Sequence, residues 1–290
     1  MSKIKDYLEK VAKVTDETLE RVLPSESIYP ESIHKLMRYS TFAGGKRIRP
    51  SLVLATHEAC GGVFNNENAL LTIAAIEMLH TFSLIHDDLP CMDDDDFRRG
   101  KPTAHKAFTE ALAVLGGDAL CIEAFEILSR TGRVDMIQEI AKSLGTKGMI
   151  AGQVVDIESE GKPVTLETLQ YIHDNKTAAL IRACVRCGAL LAGVSDEALA
   201  KLTSYGNSIG LAFQVVDDIL DEESTTEQLG KTVGSDREKG KATYPSIVGM
   251  AESKKIARDL INQAWKDIEF LGDKGAILHE LAEYIITRIN

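Results

Sequence analysis

Apolar residues recur along most of the chain at intervals of three and four, the spacing of one helix face. No stretch shows the period of two that a half-buried strand requires. The pattern predicts helices over about 3–22, 30–42, 48–60, 66–88, 104–115, 117–130, 134–158, 165–192, 196–221, 244–251, 253–271 and 275–288. Several of their ends carry breakers: Gly61-Gly62, Pro90 and Gly161-x-Pro163, with Asp196 placed to start the next helix. Neither an internal repeat nor a low-complexity linker divides the chain, so the expectation is a single all-α domain over 1–290. One segment breaks the regularity. Residues 222–243 are polar, with Gly230, Gly234, Gly240 and four basic side chains, and a loop of that length in a compact fold predicts a mobile lid.

Composition narrows the class. The 290 residues are 44% apolar and 27% charged, which excludes disordered and fibrous classes and leaves material for a large core. The balance of 33 basic and 44 acidic side chains gives −11, which argues against non-specific nucleic-acid binding. The longest near-apolar stretch, Ala69 to Leu79, contains Thr72 and Glu77 and is far short of the roughly 20 residues a membrane span needs. The opening residues alternate charges with Ile4, Leu8 and Val11 and lack an apolar signal core, so the expected location is cytoplasmic, without stable membrane insertion. The five cysteines are expected to be reduced, and Cys184-x-x-Cys187 has no second pair with which to hold zinc.

The acidity is local. The helix over 66–88 ends in Asp87-Asp88, and Asp93 to Asp96 follow after Pro90, six acids within ten residues. Carboxylates at a helix C-terminus oppose its dipole, and a cluster this dense repels itself unless a cation joins it. All-oxygen ligands point to a hard divalent ion. A second cluster sharpens the reading. In Ile209 to Asp221 apolar residues cover most of the circumference, yet Gly210, Gln214, Asp217 and Asp221 form one polar stripe, with Asp218 beside it. Buried carboxylates must be paired or must hold metal. Magnesium prefers a few carboxylates together with substrate phosphates, which predicts nearby cations. Arg98-Arg99, the basic turn Gly44-Gly45-Lys46-Arg47-x-Arg49-Pro50, Lys176-Thr177, Lys231 and Lys241 supply them, enough for two diphosphates.

These motifs resemble those of the short-chain trans-polyprenyl diphosphate synthases, most of all the bacterial farnesyl diphosphate synthases, over about Ser40 to Tyr284. The carrying motifs are the Gly44–Pro50 turn, Asp87-Asp88-x4-Asp93 with Arg98-Arg99-Gly100-Lys101-Pro102-Thr103, Gly152-Gln153-x-x-Asp156, Lys176-Thr177, Phe213-Gln214-x-x-Asp217-Asp218-x-x-Asp221, Gly230-Lys231 and Lys241-x-Thr243-Tyr244-Pro245. The resemblance implies an all-α isoprenoid synthase fold around a central cavity, usually a homodimer. It implies three Mg²⁺ ions, two on Asp87, Asp88 and Asp93 and one on Asp217 with Asp221 behind it. Arg98, Lys176, Lys231 and Lys241 would bind the allylic diphosphate, with Lys176 serving the leaving group and the Thr177 and Gln214 oxygens facing the allylic cation. Lys46, Arg49, His80 and Arg99 would bind isopentenyl diphosphate without metal. His80, Ser83 and Asp87 share one helix face.

The implied reaction is ionisation of the allylic diphosphate, attack by the isopentenyl double bond, and loss of a proton. Product length is implied to depend on Ser83 and Phe82, four and five residues before the first aspartate. Five residues of helix span about 7.5 Å, a few prenyl carbons below the metals. An aromatic there points to a C15 product, with C20 geranylgeranyl diphosphate as the alternative. Two other classes remain in view. Glu31-x-x-His34 and Glu77-x-x-His80 have the spacing of a carboxylate di-iron bundle. A non-catalytic partner subunit of a prenyl synthase would share the fold but lose acidic motifs, and both are intact here.

Overall fold

A computed structural model describes residues 3–223 and 241–287. The chain falls into two compact units, Met1–Leu54 with Phe64–Ile137, and Ala55–Val63 with Gln138–Asn290. Both are helical, as the periodicity predicts.

The first unit carries α1 (Lys3–Val22), α2 (Glu31–Thr41), the start of α3 (Ile48–Ala59), α4 (Glu67–Asp87), a hairpin of β1 (Phe97–Arg98) and β2 (Lys101–Pro102), α5 (Ala104–Ala107) and α6 (Glu110–Arg130). Its core is α4 against α6. Asn66 caps α4, its side-chain oxygen accepting from the Ala69 amide at 3.1 Å, and Thr109 does the same for α6 through Leu112 at 3.2 Å. Helix α4 is long and apolar enough by composition to cross a membrane, against the shorter stretch read from sequence. Yet 67% of its apolar window is buried inside the protein, which makes it a core helix.

Two local expectations fail here. The helix break expected at Gly116 is replaced by a break at Phe108-Thr109, and Gly116 and Gly117 both lie inside α6. Their role is close packing: a Cβ on Gly116 would sit 2.2 Å from Leu36, and one on Gly117 would sit 2.2 Å from the His86 ring. The β1–β2 hairpin leaves no periodic signal in the sequence because two residues per strand are too few for a period. Its turn is Arg99-Gly100, both with positive φ (52° and 74°), the signature of a tight hairpin that matches strand twist.

Arg47 is the internal anchor of this unit. It is 4% exposed and holds a left-handed φ of 48°, unusual for a residue with a side chain. Its guanidinium donates to Glu77 at 2.6 Å, to Asp16 at 2.8 Å and to the Thr41 carbonyl at 3.0 Å. Glu77 is thereby committed to Arg47, and Glu31 accepts from Lys35 at 2.6 Å. With both glutamates carrying cations, the di-iron reading loses its ligands.

The second unit carries α7 (Val134–Leu144) from Gln138 onward, α8 (Met149–Ser159), α9 (Leu166–His173), α10 (Ala179–Ala192), α11 (Asp196–Glu223), α12 (Tyr244–Val248), α13 (Met250–Ile268) and α14 (Ala276–Ile286). Helix α11 packs on α10 and α13. The helix expected over 134–158 is split because the chain folds back at 145–148. A Cβ on Gly148 would lie 2.2 Å from the Ser143 carbonyl oxygen, so only glycine fits. The helix expected over 165–192 is continuous but contains a π turn, Asp174–Ala178. Gly249, with φ 84°, separates α12 from α13. Cys184 and Cys187 are buried core residues of α10, and all five cysteines are free thiols.

Candidate active site

In the first unit, Asp87 ends α4 and the acidic loop folds back onto it. The Asp93 amide donates to the Asp87 carbonyl at 2.8 Å, and the Met92 and Asp94 amides donate to Leu89. Both Asp87 and Asp93 are thus held, half-buried, at one helix end. Asp88 differs. It is buried, and Arg98 Nε donates to its Oδ1 at 2.7 Å, with Nη2 at 2.5 Å from the same oxygen. Burial pushes the Asp88 carboxyl up, and the Arg98 hydrogen bond opposes this. Two side chains expected to serve metal and substrate separately are therefore partners of each other. A cleft of about 380 Å³, open to solvent, lies beside the pair, lined among others by Tyr39, Leu84, Asp88, Arg98 and Arg99.

The cations form a second group in this unit. Arg49 Nη1 donates to His80 Nε2 at 3.2 Å. Arginine can only donate, so this ring nitrogen is the acceptor of a neutral imidazole. Burial, then the positive charges of Arg49, Arg99, Arg98 and Arg47, hold His80 well below the usual histidine range. Arg99 donates to the Gly44 carbonyl, and its guanidinium lies where a Cβ on Gly45 would be, within 2.7 Å. The glycines, at φ 94° and 133°, therefore let the Arg99 hairpin close onto the basic turn. Lys46 is exposed on that turn. Phe82 is half-buried, edge-on to His86 at 5.6 Å, and Ser83 donates to the His80 carbonyl at 2.9 Å.

In the second unit the π turn carries Lys176 and Thr177, and two glycines make room for it. A Cβ on Gly152 of α8 would lie 2.2 Å from the Lys176 amide nitrogen. One on Gly210 of α11 would lie 2.7 Å from Ala178 Cβ. Gly210 begins the polar stripe read from sequence, so the π turn lies against its first position. A π insertion of this kind is a frequent mark of a functional site. Farther along α11, Gln214 and Asp217 are half-buried and Asp221 is buried. Asp218 is buried too, and its Oδ2 accepts from the Tyr244 amide at 2.9 Å, beside His173 Nε2 at 3.2 Å. Burial pushes His173 down to about 4, against the pull of Asp156, so the ring is neutral near pH 7. Thr243 donates to Glu222 at 3.0 Å, so the two ends of the polar segment are tied together. Lys231 and most of the proposed lid, 224–240, lie outside the described residues.

Asp156 is the site residue that motif reading left without a role. Lys176 Nζ donates to its Oδ2 at 2.6 Å, and Lys241 Nζ lies 3.8 Å from the same oxygen. His173 gave no signal in sequence at all. The pairing of Asp218 with Tyr244 was hidden because its partner lies 26 residues away.

Among the described residues no three acidic, histidine or cysteine side chains converge into a complete metal cage. The donors on each unit are oxygen only, at most a few carboxylates at one helix end or along one stripe. Mg²⁺, which keeps waters and takes substrate phosphates as ligands, fits that set.

A chain that is helical but for one short hairpin, with a cation-lined turn in one unit and a carboxylate stripe in the other, has the features of the isoprenoid synthase fold. The polyprenyl synthetase family model matches residues 30–276, and the chain belongs to that family, a short-chain prenyltransferase. It is 46% identical to a geranylgeranyl diphosphate synthase of Cyanophora paradoxa, over 98% of this chain and 96% of that one. It superposes on an FPP/GFPP synthase from Zymomonas mobilis with a TM-score of 0.87 at 37% identity, over 98% of each chain. A geranyltransferase from Helicobacter pylori, complexed with magnesium and isoprenyl diphosphate, matches with a TM-score of 0.83 at 34% identity, over 99% of this chain and 97% of that one.

The packing at Gly152 yields a direct test. Gly152→Ala puts a methyl group against backbone rather than a flexible side chain, so the π turn must move. Overpacking of this kind costs about 1–3 kcal/mol. A displacement near 1 Å at Lys176 costs roughly 10²-fold in turnover. Steady-state kinetics and urea unfolding of the variant measure both.

Proposed function

We propose that the chain condenses isopentenyl diphosphate with dimethylallyl and then geranyl diphosphate, giving farnesyl diphosphate. The observation that carries the two-substrate part is the group formed by Arg49, His80, Arg99 and the Gly44–Lys46 turn. It offers cations and a neutral imidazole without a carboxylate aimed at metal, which suits a diphosphate bound without Mg²⁺. The allylic diphosphate falls to Lys176, Lys241, Lys231 and Arg98, with Asp87, Asp93, Asp217 and Asp221 as the carboxylates for Mg²⁺. Asp88, which the motif groups with the metal ligands, would act chiefly by fixing Arg98. Bound Mg²⁺ would supply Lewis-acid stabilisation of charge on the departing diphosphate.

The chain's own groups do the rest. Lys176 neutralises the leaving diphosphate, and the Thr177 hydroxyl and Gln214 carbonyl oxygens present negative dipole ends to the allylic carbon as it becomes cationic. Arg49, Arg99 and Lys46 hold isopentenyl diphosphate for attack by its double bond. The proton lost afterwards passes to the released diphosphate, so no side-chain base is required. The pair formed by His80 and Arg49 keeps that imidazole neutral, an acceptor to arginine rather than a proton donor to substrate. A homodimer is the assembly we favour, because α6 exposes Val114, Leu115 and Ile122 along its length.

The C15 product rests on Phe82. It lies on α4 five residues before Asp87, half-buried against His86, where it would block a growing tail. The likeness to a geranylgeranyl synthase favours C20 as the second reading. Product chromatography after dephosphorylation decides. The wild-type chain is expected to give the C15 alcohol, and Phe82→Ala to shift the main product to C20 or longer. A wild-type C20 product, or an unchanged C15 product in the variant, removes Phe82 from the role of floor.

A further inference from the structure

We infer that Asp156 is a positioning residue that holds Lys176 and Lys241 together as one preformed anion receptor; the inference rests on the allylic-diphosphate reading of those lysines. Three observations within the second unit support it. First, the Asp156 carboxylate is 14% exposed and one of its oxygens serves both ammonium groups, at 2.6 Å and 3.8 Å. Second, Asp156 lies one helical turn after Gly152, the residue against which the π turn of Lys176 is pressed. The same face of α8 thus sets the Lys176 backbone through a glycine and its charge through a carboxylate. Third, a cleft of about 220 Å³ opens beside Asp156, lined by Asp156, Glu160, Ile172, Lys241 and Ala242 among others, so Asp156 links a cleft-lining lysine to Lys176 behind it.

The physical argument is one of charge and entropy. Two ammonium groups converging on one point repel each other, and each long lysine side chain loses rotamer freedom when fixed. A shared carboxylate meets both costs before substrate arrives. The two lysines and Asp156 sum to +1, and with Glu160, which lines the same cleft, to zero, so attraction to a diphosphate rests on the gathered ammonium groups rather than on net charge. An arriving diphosphate takes the place of the Asp156 oxygen at two ammonium groups already gathered. His173 also faces this group, buried and neutral, and adds no charge of its own. Losing the outer-shell partner of a metal-ligating side chain costs roughly 10–100-fold in metal affinity, and the loss of a carboxylate that orients two diphosphate-binding lysines is taken to be of the same order.

The test is a binding measurement on the full-length protein with Mg²⁺ and the thiolo analogue of geranyl diphosphate, which does not ionise. Dissociation constants are taken by calorimetry for wild type, Asp156→Asn, Asp156→Glu, Lys176→Met with Lys241→Met, and the triple variant with Asp156→Asn. The expected result is a 10–100-fold weaker complex for Asp156→Asn and partial recovery for Asp156→Glu. The triple variant is expected within threefold of the double-lysine variant, because Asp156 acts only through the lysines. Circular dichroism melting separates this from unfolding, and if Asp156→Asn does not fold, Asp156→Glu carries the comparison with a smaller loss. The inference is overturned if Asp156→Asn binds as tightly as wild type or tighter, or if its loss persists in full without the lysines. A wild-type chain that fails to bind the analogue at all overturns the underlying reading instead.

Discussion

Asp87→Ala and Asp217→Ala should each lower turnover roughly 10³-fold, with little change in stability. Stabilising charge on a departing diphosphate is worth several kcal/mol, and about 1.4 kcal/mol corresponds to a factor of ten in rate. Both aspartates are half-buried at the end of one element or along the stripe of another, where removing a carboxylate leaves no cavity in a core. Asp88→Ala should behave differently, because it also releases Arg98 from its 2.7 Å bond and leaves a cation without its buried partner. Rates at saturating Mg²⁺, alongside urea unfolding, distinguish the two kinds of aspartate. Equal kinetics and equal stability for all three variants would remove that distinction.

Glu77→Ala should destabilise the protein by about 3–5 kcal/mol, the cost of breaking a buried ion pair and stranding one charge. Side chains of Arg47 and Glu77 are 1% and 2% exposed, so solvent does not screen the pair. The effect should reach function as well. Arg47 sits at φ 48° in the turn that carries Lys46 and leads into α3, where Arg49 lies, and Glu77 lies three residues before His80 on α4. Loosening Arg47 should raise KM for isopentenyl diphosphate more than it lowers kcat. Replacing both partners by methionine should recover most of the stability, since a packed apolar pair avoids the stranded charge. A Glu77→Ala cost below about 1 kcal/mol would show that Asp16 and Thr41 suffice to hold Arg47.

Most of the architecture is legible from spacing alone, because helices here bury one face and the period survives. What the period cannot show is packing between elements. Gly116 reads as a break, yet it and Gly117 are helical positions thinned to admit Leu36 and His86. Gly145 and Gly148 read as helix interior, yet the backbone folds onto the Ser143 carbonyl there. The π turn at Asp174–Ala178 inserts a residue without any composition signal, and only its contacts with Gly152 and Gly210 account for it. The candidate site divides in the same manner. Carboxylates and cations announce themselves as dense runs, so Asp87, Asp93, Asp217 and the Gly44–Arg49 turn are visible in the sequence. Groups that act through a partner are not. Glu77 matches a di-iron spacing in sequence but serves Arg47, and Asp156, one letter of a motif, has one carboxylate oxygen facing two lysines.

Incubation of the purified chain alone with isopentenyl and geranyl diphosphates, with and without Mg²⁺, tests the account most directly. Condensation is expected only with Mg²⁺, releasing one diphosphate per C15 product and requiring no subunit other than copies of this chain. A folded chain that releases no diphosphate and forms no longer prenyl product with both substrates and Mg²⁺ present would contradict it.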